Sequence, residues 1–384
     1  MINIEEMYER GLLRVGNTSR MTRVMKRALA GEKLRVAFLG GSITAGAAAT
    51  SAEGCYAYRV YTWWKERFPL AEIEYINAGV GATTSKFGVA RVKEDILSLK
   101  PDAVFVEFSV NDSDLPVFQE TFEGLIRTIL LDADEPAVFM FNNVFYDDGR
   151  NAERVHNEIG EYYDLPIVSM RASLFEEIRK GNLKNTDISA DNLHPNDYGH
   201  QLVAGVICHL LDRIYREVAE ESDRNQIASA GEFMGTLAPY RIPEVPLTAN
   251  RYFGSDRKNN RSCEPEAYGF VKDETVKNGV WDVFRYGWAA KSTGSRIRFE
   301  VEGWLISLQY RKYALHPAPV ARAIIDGREE QAVILDANFD ETWGDCLYLQ
   351  DVFTSENRGR HTVEIILEEE VPEKDFYLAS VITA

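Results

Sequence analysis

The chain has 384 residues, 45% of them apolar and 27% charged, and its 60 Asp and Glu outnumber 43 Lys and Arg for a formal net charge of −17. That length predicts two domains, because a single hydrophobic core seldom organises so many residues. The acidic balance argues against sequence-independent binding to nucleic acid or to anionic lipid, both of which need clustered positive charge.

The opening stretch MINIEEMYERGLLRV carries acids where a secretory leader carries bases, and no apolar core follows it, so the expectation is a cytoplasmic chain. No other stretch is long and apolar enough to predict a membrane span. Residues 1–32 read as an N-terminal extension, with a basic amphipathic helix over 19–31. From 33 to 220 short apolar runs alternate with helical patterns. LRVAFLG (34–40), IEYIN (73–77), DAVFVEFS (102–109), AVFMFNNV (137–144) and PIVSM (166–170) are near-continuous apolar runs, the mark of parallel strands covered on both faces. Helices are predicted near 54–68, 85–99, 118–132, 151–163 and 198–219, the last with Leu202, Val206, Leu210 and Ile214 at helical spacing. This alternation predicts a three-layer α/β domain.

Residues 221–248 turn polar and then Pro-bearing (LAPYRIPEVP), which suits a linker. Over 249–384 the helical period disappears. Short β-branched and aromatic runs, from RIRFEVEG to FYLASVIT, are bounded by turns such as IDGRE and ENRGR and predict a β-sandwich of jelly-roll type. Trp281, Trp288, Trp304 and Trp343 fall here, as core filling or as stacking surfaces for sugar rings. Cys55, Cys208, Cys263 and Cys346 are scattered, with no CxxC pair, and read as separate reduced thiols.

Chemistry concentrates at the ends of the apolar runs. VAFLGGSITAG (36–46) places Ser42 after two glycines at a strand tip, where open α/β sheets bind ligands. No Lys-Ser/Thr pair follows those glycines, so a phosphate loop is excluded. The nucleophile elbow G-x-S-x-G is met at Gly40, but Thr44 holds the last position. Alone, such a serine most often caps a helix. In DNLHPNDYGH (191–200), however, Asp191 and His194 are three residues apart in a turn ahead of a helix. There a carboxylate can take the Nδ1–H of an imidazole and leave Nε2 as base toward a serine hydroxyl. AGVGATTS and VNDSD follow the second and third strands and offer a glycine N–H and an asparagine amide, the donors an oxyanion hole needs. Individually both are turn chemistry.

Together, GGSIT with Ser42, NAGVGAT with Gly81, SVND with Asn111 and DNLHP with Asp191 and His194 resemble the four sequence blocks of the SGNH/GDSL hydrolases, in order and spacing, over roughly residues 33–215. Gly41 stands where GDSL members carry Asp, and Gly79 competes with Gly81 in the second block. The resemblance implies a flavodoxin-like sheet of five parallel strands and a serine-esterase mechanism without metal or organic cofactor. In it Ser42 is the nucleophile, His194 the base, Asp191 its orienter, and Ser42 N–H, Gly81 N–H and the Asn111 amide the oxyanion hole. An SGNH domain followed by a jelly roll is similar to two-domain bacterial carbohydrate esterases. The substrate implied is therefore an acetylated oligosaccharide, expected to be xylan-derived. The stretch NDSDLP (111–116) separately leaves Asp112 and Asp114 beside the proposed site, as candidate acceptors for sugar hydroxyls or as solvated loop acids. Alternatives are a lipase, thioesterase or lysophospholipase of the same mechanism, or an inactive carbohydrate-binding protein. No nucleic acid or membrane partner is expected, and the β domain is expected to mediate homo-oligomer contacts.

Overall fold

The computed structural model describes residues 2–219, 265–274, 283–284, 286–341 and 344–383. The chain divides into two compact units, residues 1–240 and 241–384. The expected linker, 221–248, lies outside the described residues.

The first unit runs α1 (Ile4–Arg10), β1 (Leu12–Arg14), α2 (Ser19–Leu29), β2 (Lys33–Gly40), a one-turn α3 (Ser42–Ala45), α4 (Tyr56–Arg67) and β3 (Glu72–Gly79). It continues through α5 (Ser85–Asp95), β4 (Ala103–Glu107), α6 (Pro116–Leu130), β5 (Ala137–Asn142), α7 (Glu153–Tyr162), β6 (Ile167–Ser169), two short helices α8 (Glu176–Arg179) and α9 (Asn185–Ile188), and α10 (Asp197–Ala219). Five strands pair in parallel in the order β3-β2-β4-β5-β6. That is the doubly wound, flavodoxin-like order, whose winding reverses between β2 and β4.

Strand side chains alternate between two cores. Val36, Phe38, Phe105, Phe139 and Phe141 bury against α2, α4 and α10, while Ala37, Leu39, Val104, Val106 and Met140 bury against α5, α6 and α7. On the first face Phe38 stacks on Phe105 at 4.9 Å between ring centroids, and Phe105 meets Phe139 at 5.0 Å. Each such buried ring contributes about 1.5–3 kcal/mol, so this ladder ties the three central strands in register beneath their tips.

One expectation is corrected. The N-terminal residues are not an appendage: β1 pairs antiparallel with β6 through Leu12–Val168, making a six-stranded sheet, and Met7 of α1 is buried in the core shared with α10. A three-residue strand is too short to show a period, so its pairing was invisible in the sequence.

The second unit is all-β, with β7 (Glu266–Tyr268), β8 (Phe270–Lys272), β9 (Trp288–Ala290), β10 (Arg296–Lys312), β11 (Val320–Ile325), β12 (Val333–Asp336), β13 (Cys346–Glu369) and β14 (Phe376–Thr383). These strands pair antiparallel in the order β12-β11-β13-β10-β14-β9-β8, with β7 also on β10. RIRFEVEG and LISLQYRKY, expected as separate strands, join in β10, and the register with β13 shifts between Gly303 and Leu305. Trp288 is buried edge-on against Phe299 and fills the core, so it offers no face to a sugar. Trp281 and Trp343 lie outside the described residues.

Candidate active site

Ser42 opens α3 directly off the end of β2. The two glycines before it answer to space. A Cβ on Gly40 would stand 2.2 Å from Thr44 Oγ1 and 2.6 Å from the Glu107 carbonyl; one on Gly41 would stand 2.4 Å from Asn111 Oδ1. Any larger residue would push the turn off its neighbours. Thr44, where the elbow motif has glycine, is buried, and its hydroxyl lies 2.8 Å from the Tyr56 hydroxyl. Gly46, in the left-handed region at φ 98°, ends the turn, and its N–H and that of Ala47 both donate to the Ser42 carbonyl.

From the far end of the unit, the turn between α9 and α10 delivers the histidine. His194 Nε2 is 2.8 Å from Ser42 Oγ, and its Nδ1 is 2.6 Å from Asp191 Oδ2. An ionised carboxylate only accepts, so the proton is assigned to Nδ1, and Nε2 accepts from the serine hydroxyl. Asp191 Oδ1 accepts the backbone N–H groups of Leu193 and His194, closing the turn. Asn192 takes the left-handed conformation this requires, at φ 65°. Partial burial would raise the Asp191 carboxyl, but the hydrogen bonds from His194 and Leu193 outweigh it and hold the group down at about 2. Asn196 then caps α10, accepting the Gly199 N–H.

His200, for which the sequence showed no role, fastens the two loops together. It is fully buried; Nδ1 accepts the Tyr56 N–H at the start of α4, and Nε2 donates to the Ala47 carbonyl just beyond Ser42. Burial pushes its pKa down to about 4. Asp197 adds a second tie, accepting the Thr50 N–H.

The second block resolves between its glycines. A Cβ on Gly79 would lie 2.2 Å from the Ala45 nitrogen, so Gly79 is bare because α3 packs on it; one on Gly81 would meet only Ser42 Cβ, at 3.8 Å. Gly81 borders the serine side chain, and Gly79 borders the backbone of the helix that the serine opens. Asn111 also stands beside it, in the turn after β4, against Gly41. Asp112 does not present itself to a substrate. Its side chain is buried, with Oδ1 accepting the Ser85 N–H and Oδ2 3.1 Å from His156 Nε2. Asp114 is half exposed and pairs with Arg154.

Cys55, Cys208 and Cys346 are free thiols, and burial raises Cys55 to about 11; Cys263 lies outside the described residues. Among the described residues no group of three or more His, Cys, Asp and Glu side chains is placed to hold a metal ion, and no helix is long and apolar enough to cross a membrane.

Comparison with known proteins bears directly on this geometry. Residues 38–202 match the GDSL-like lipase/acylhydrolase family. The chain is also 43% identical to a two-domain esterase (CEX) active on acetylated mannans, over 98% of both chains and with a TM-score of 0.88. This chain belongs to the GDSL-like lipase/acylhydrolase family. It is a carboxylic ester hydrolase. The two-domain CEX esterase co-crystallised with mannopentaose is 44% identical over 98% of this chain and 97% of its own, with a TM-score of 0.86. An acetylxylan esterase of Geobacillus stearothermophilus is 28% identical over 204 residues, 45% of this chain and 91% of that protein. A hydroxyl with a base at hydrogen-bond distance is the arrangement that activates a serine as a nucleophile.

Proposed function

We propose that this chain is a serine esterase that removes O-acetyl groups from carbohydrates, with acetylated mannan oligosaccharides as the preferred class. The carrying observation is the relay of Asp191, His194 and Ser42 at 2.6 and 2.8 Å. Ser42 Oγ attacks the acetyl carbonyl while His194 Nε2 takes its proton. The oxyanion is held by the N–H groups of Ser42 and Gly81 and by the Asn111 amide. Collapse of the tetrahedral adduct breaks the bond to the sugar oxygen, which takes the proton from His194 and leaves as a hydroxyl, and an acetyl-enzyme remains. Water, deprotonated by the same imidazole, then attacks the acetyl carbonyl, and as the bond to Ser42 Oγ breaks His194 returns the proton to that oxygen and acetate leaves. Asp191 stays ionised throughout and stabilises the imidazolium. Mannan is preferred over xylan because the similarity to the acetylated-mannan esterase spans both units, whereas the acetylxylan esterase aligns with less than half of the chain.

Acetate release from acetylated mannan and acetylated xylan, at equal acetyl content, tests the reading. Faster release from mannan is expected, and Ser42→Ala should abolish both. Equal or greater xylan activity would remove the mannan preference, and turnover by Ser42→Ala would remove the mechanism.

A further inference from the structure

The Asn111 turn rests on a carboxyl group that no part of the relay uses. Glu107 is the last residue of β4, paired in register with Gly40, and is fully buried although it interrupts an apolar strand. Its Oε1 lies 2.8 Å from both the backbone nitrogen and the hydroxyl of Ser109, two residues before Asn111. The Ser109 hydroxyl is in turn 3.0 Å from the Asn143 carbonyl, at the end of β5. The Ser109 carbonyl accepts the Ala152 N–H, and the Asn143 carbonyl accepts from the Asn151 amide. Ser109 is thus bonded on every side to the frame under the sheet edge. Beyond it, the Asn111 and Asp112 N–H groups both donate to the Phe108 carbonyl, and Asp112 is held by Ser85 and His156.

Counting protons sets the state of Glu107. The Ser109 hydroxyl has a single hydrogen, and the Asn143 carbonyl can only accept. If Glu107 were ionised, two acceptors would compete for that hydrogen. If Glu107 is neutral, Oε1 still accepts the Ser109 N–H through a lone pair while its O–H donates to Ser109 Oγ, and the Ser109 hydrogen is left for Asn143. Burial acts in the same direction, raising the Glu107 carboxyl against the opposing pull of Ser109, Asn143 and His156.

We infer that Glu107, held as a neutral carboxylic acid, is a positioning residue that fixes the Ser109 turn and through it aims the Asn111 amide at the reacting oxygen. This rests on Asn111 as an oxyanion donor, and a double-mutant cycle with Asn111→Ala, measured on an aryl acetate, separates the two claims. Glu107→Ala is expected to lower kcat about 10- to 100-fold with KM within about twofold, because the donor it aims acts on the transition state. In the Asn111→Ala background the same change should lower kcat by less than about twofold. Glu107→Gln, uncharged and of equal length, should stay within about fivefold of wild type. Should Glu107→Ala fail to fold, Ser109→Ala serves in its place, with a smaller loss of kcat that again disappears beside Asn111→Ala. Additive losses would overturn the coupling, and a Gln variant as impaired as Ala would overturn the neutral contact. A wild-type kcat in Asn111→Ala alone would instead overturn the oxyanion reading.

Discussion

Ser42 is not acidic enough to lose its proton to water at neutral pH, so in the proposed mechanism its reactivity depends on the imidazole held 2.8 Å away and on the donors proposed to receive the oxyanion. Two substitutions separate these contributions. Asp191→Asn preserves shape but removes the anion that keeps the proton on Nδ1, so kcat should fall by about 10²–10⁴-fold with the fold intact by circular dichroism. Asn111→Ala removes one proposed oxyanion donor and should cost about 3 kcal/mol in kcat/KM for an aryl acetate, with KM little changed. Ser42 and Asn111 were legible in the sequence because each stands at the tip of an apolar run, and Asp191 because it precedes a histidine by three residues in a turn ahead of a helix. Asp112 was misread for the same reason: a loop acid next to a site residue looks exposed in a sequence, and only the fold shows it turned inward to Ser85 and His156. Glu107, His156 and His200 were missed, although a carboxylate inside VFVEFS is the kind of buried polar residue that demands a partner.

At the scale of elements, the site depends on α3 lying flat against the tip of β3 and on the α10 turn staying fastened to the loop after Ser42. Gly79→Ala would drive a methyl into the Ala45 backbone and should destabilise the unit by about 1–3 kcal/mol, lowering its thermal midpoint. Gly81→Ala meets nothing closer than 3.8 Å and should leave the midpoint unchanged. Parallel thermal melts of the two variants decide this. His200 makes the fastening sensitive to acid. Its folded pKa, about 4, lies below its ordinary value of 6.5. The unfolded chain therefore binds the proton first, and the stability His200 contributes, intact above about pH 6.5, is lost as the pH falls toward 4. His200→Asn should be less stable at pH 7 by about 1–2 kcal/mol yet lose less on acidification to pH 5, as read by denaturant midpoints. The long elements were legible because period and turn residues agreed. β1 was not, because three residues carry no period, and β10 and β13 were read as several strands because Gly303 and the turn-like ENRGR mimic strand ends.

For the whole molecule, the winding order places β2 and β4 at the point where the sheet reverses, so Ser42 and Asn111 emerge side by side from neighbouring strands of the first unit. The net charge of −17 then sorts substrates. A neutral aryl acetate or acetylated oligosaccharide should be turned over at rates that change by less than about twofold between 0.02 and 0.2 M salt, whereas an anionic acyl donor would be repelled and gain from screening. A rate for the neutral acetate that rises steeply with salt would show that charge governs access. The two-unit organisation was legible from the loss of helical period; the pairing order of the β unit was not, since antiparallel strands of similar composition can pair in many orders. The most direct test of the account is labelling with a fluorophosphonate followed by peptide mass mapping. A single adduct on Ser42, absent in Ser42→Ala and much slower to form in His194→Ala, is the expected result. An adduct on another residue, or none at all on folded protein, would contradict it.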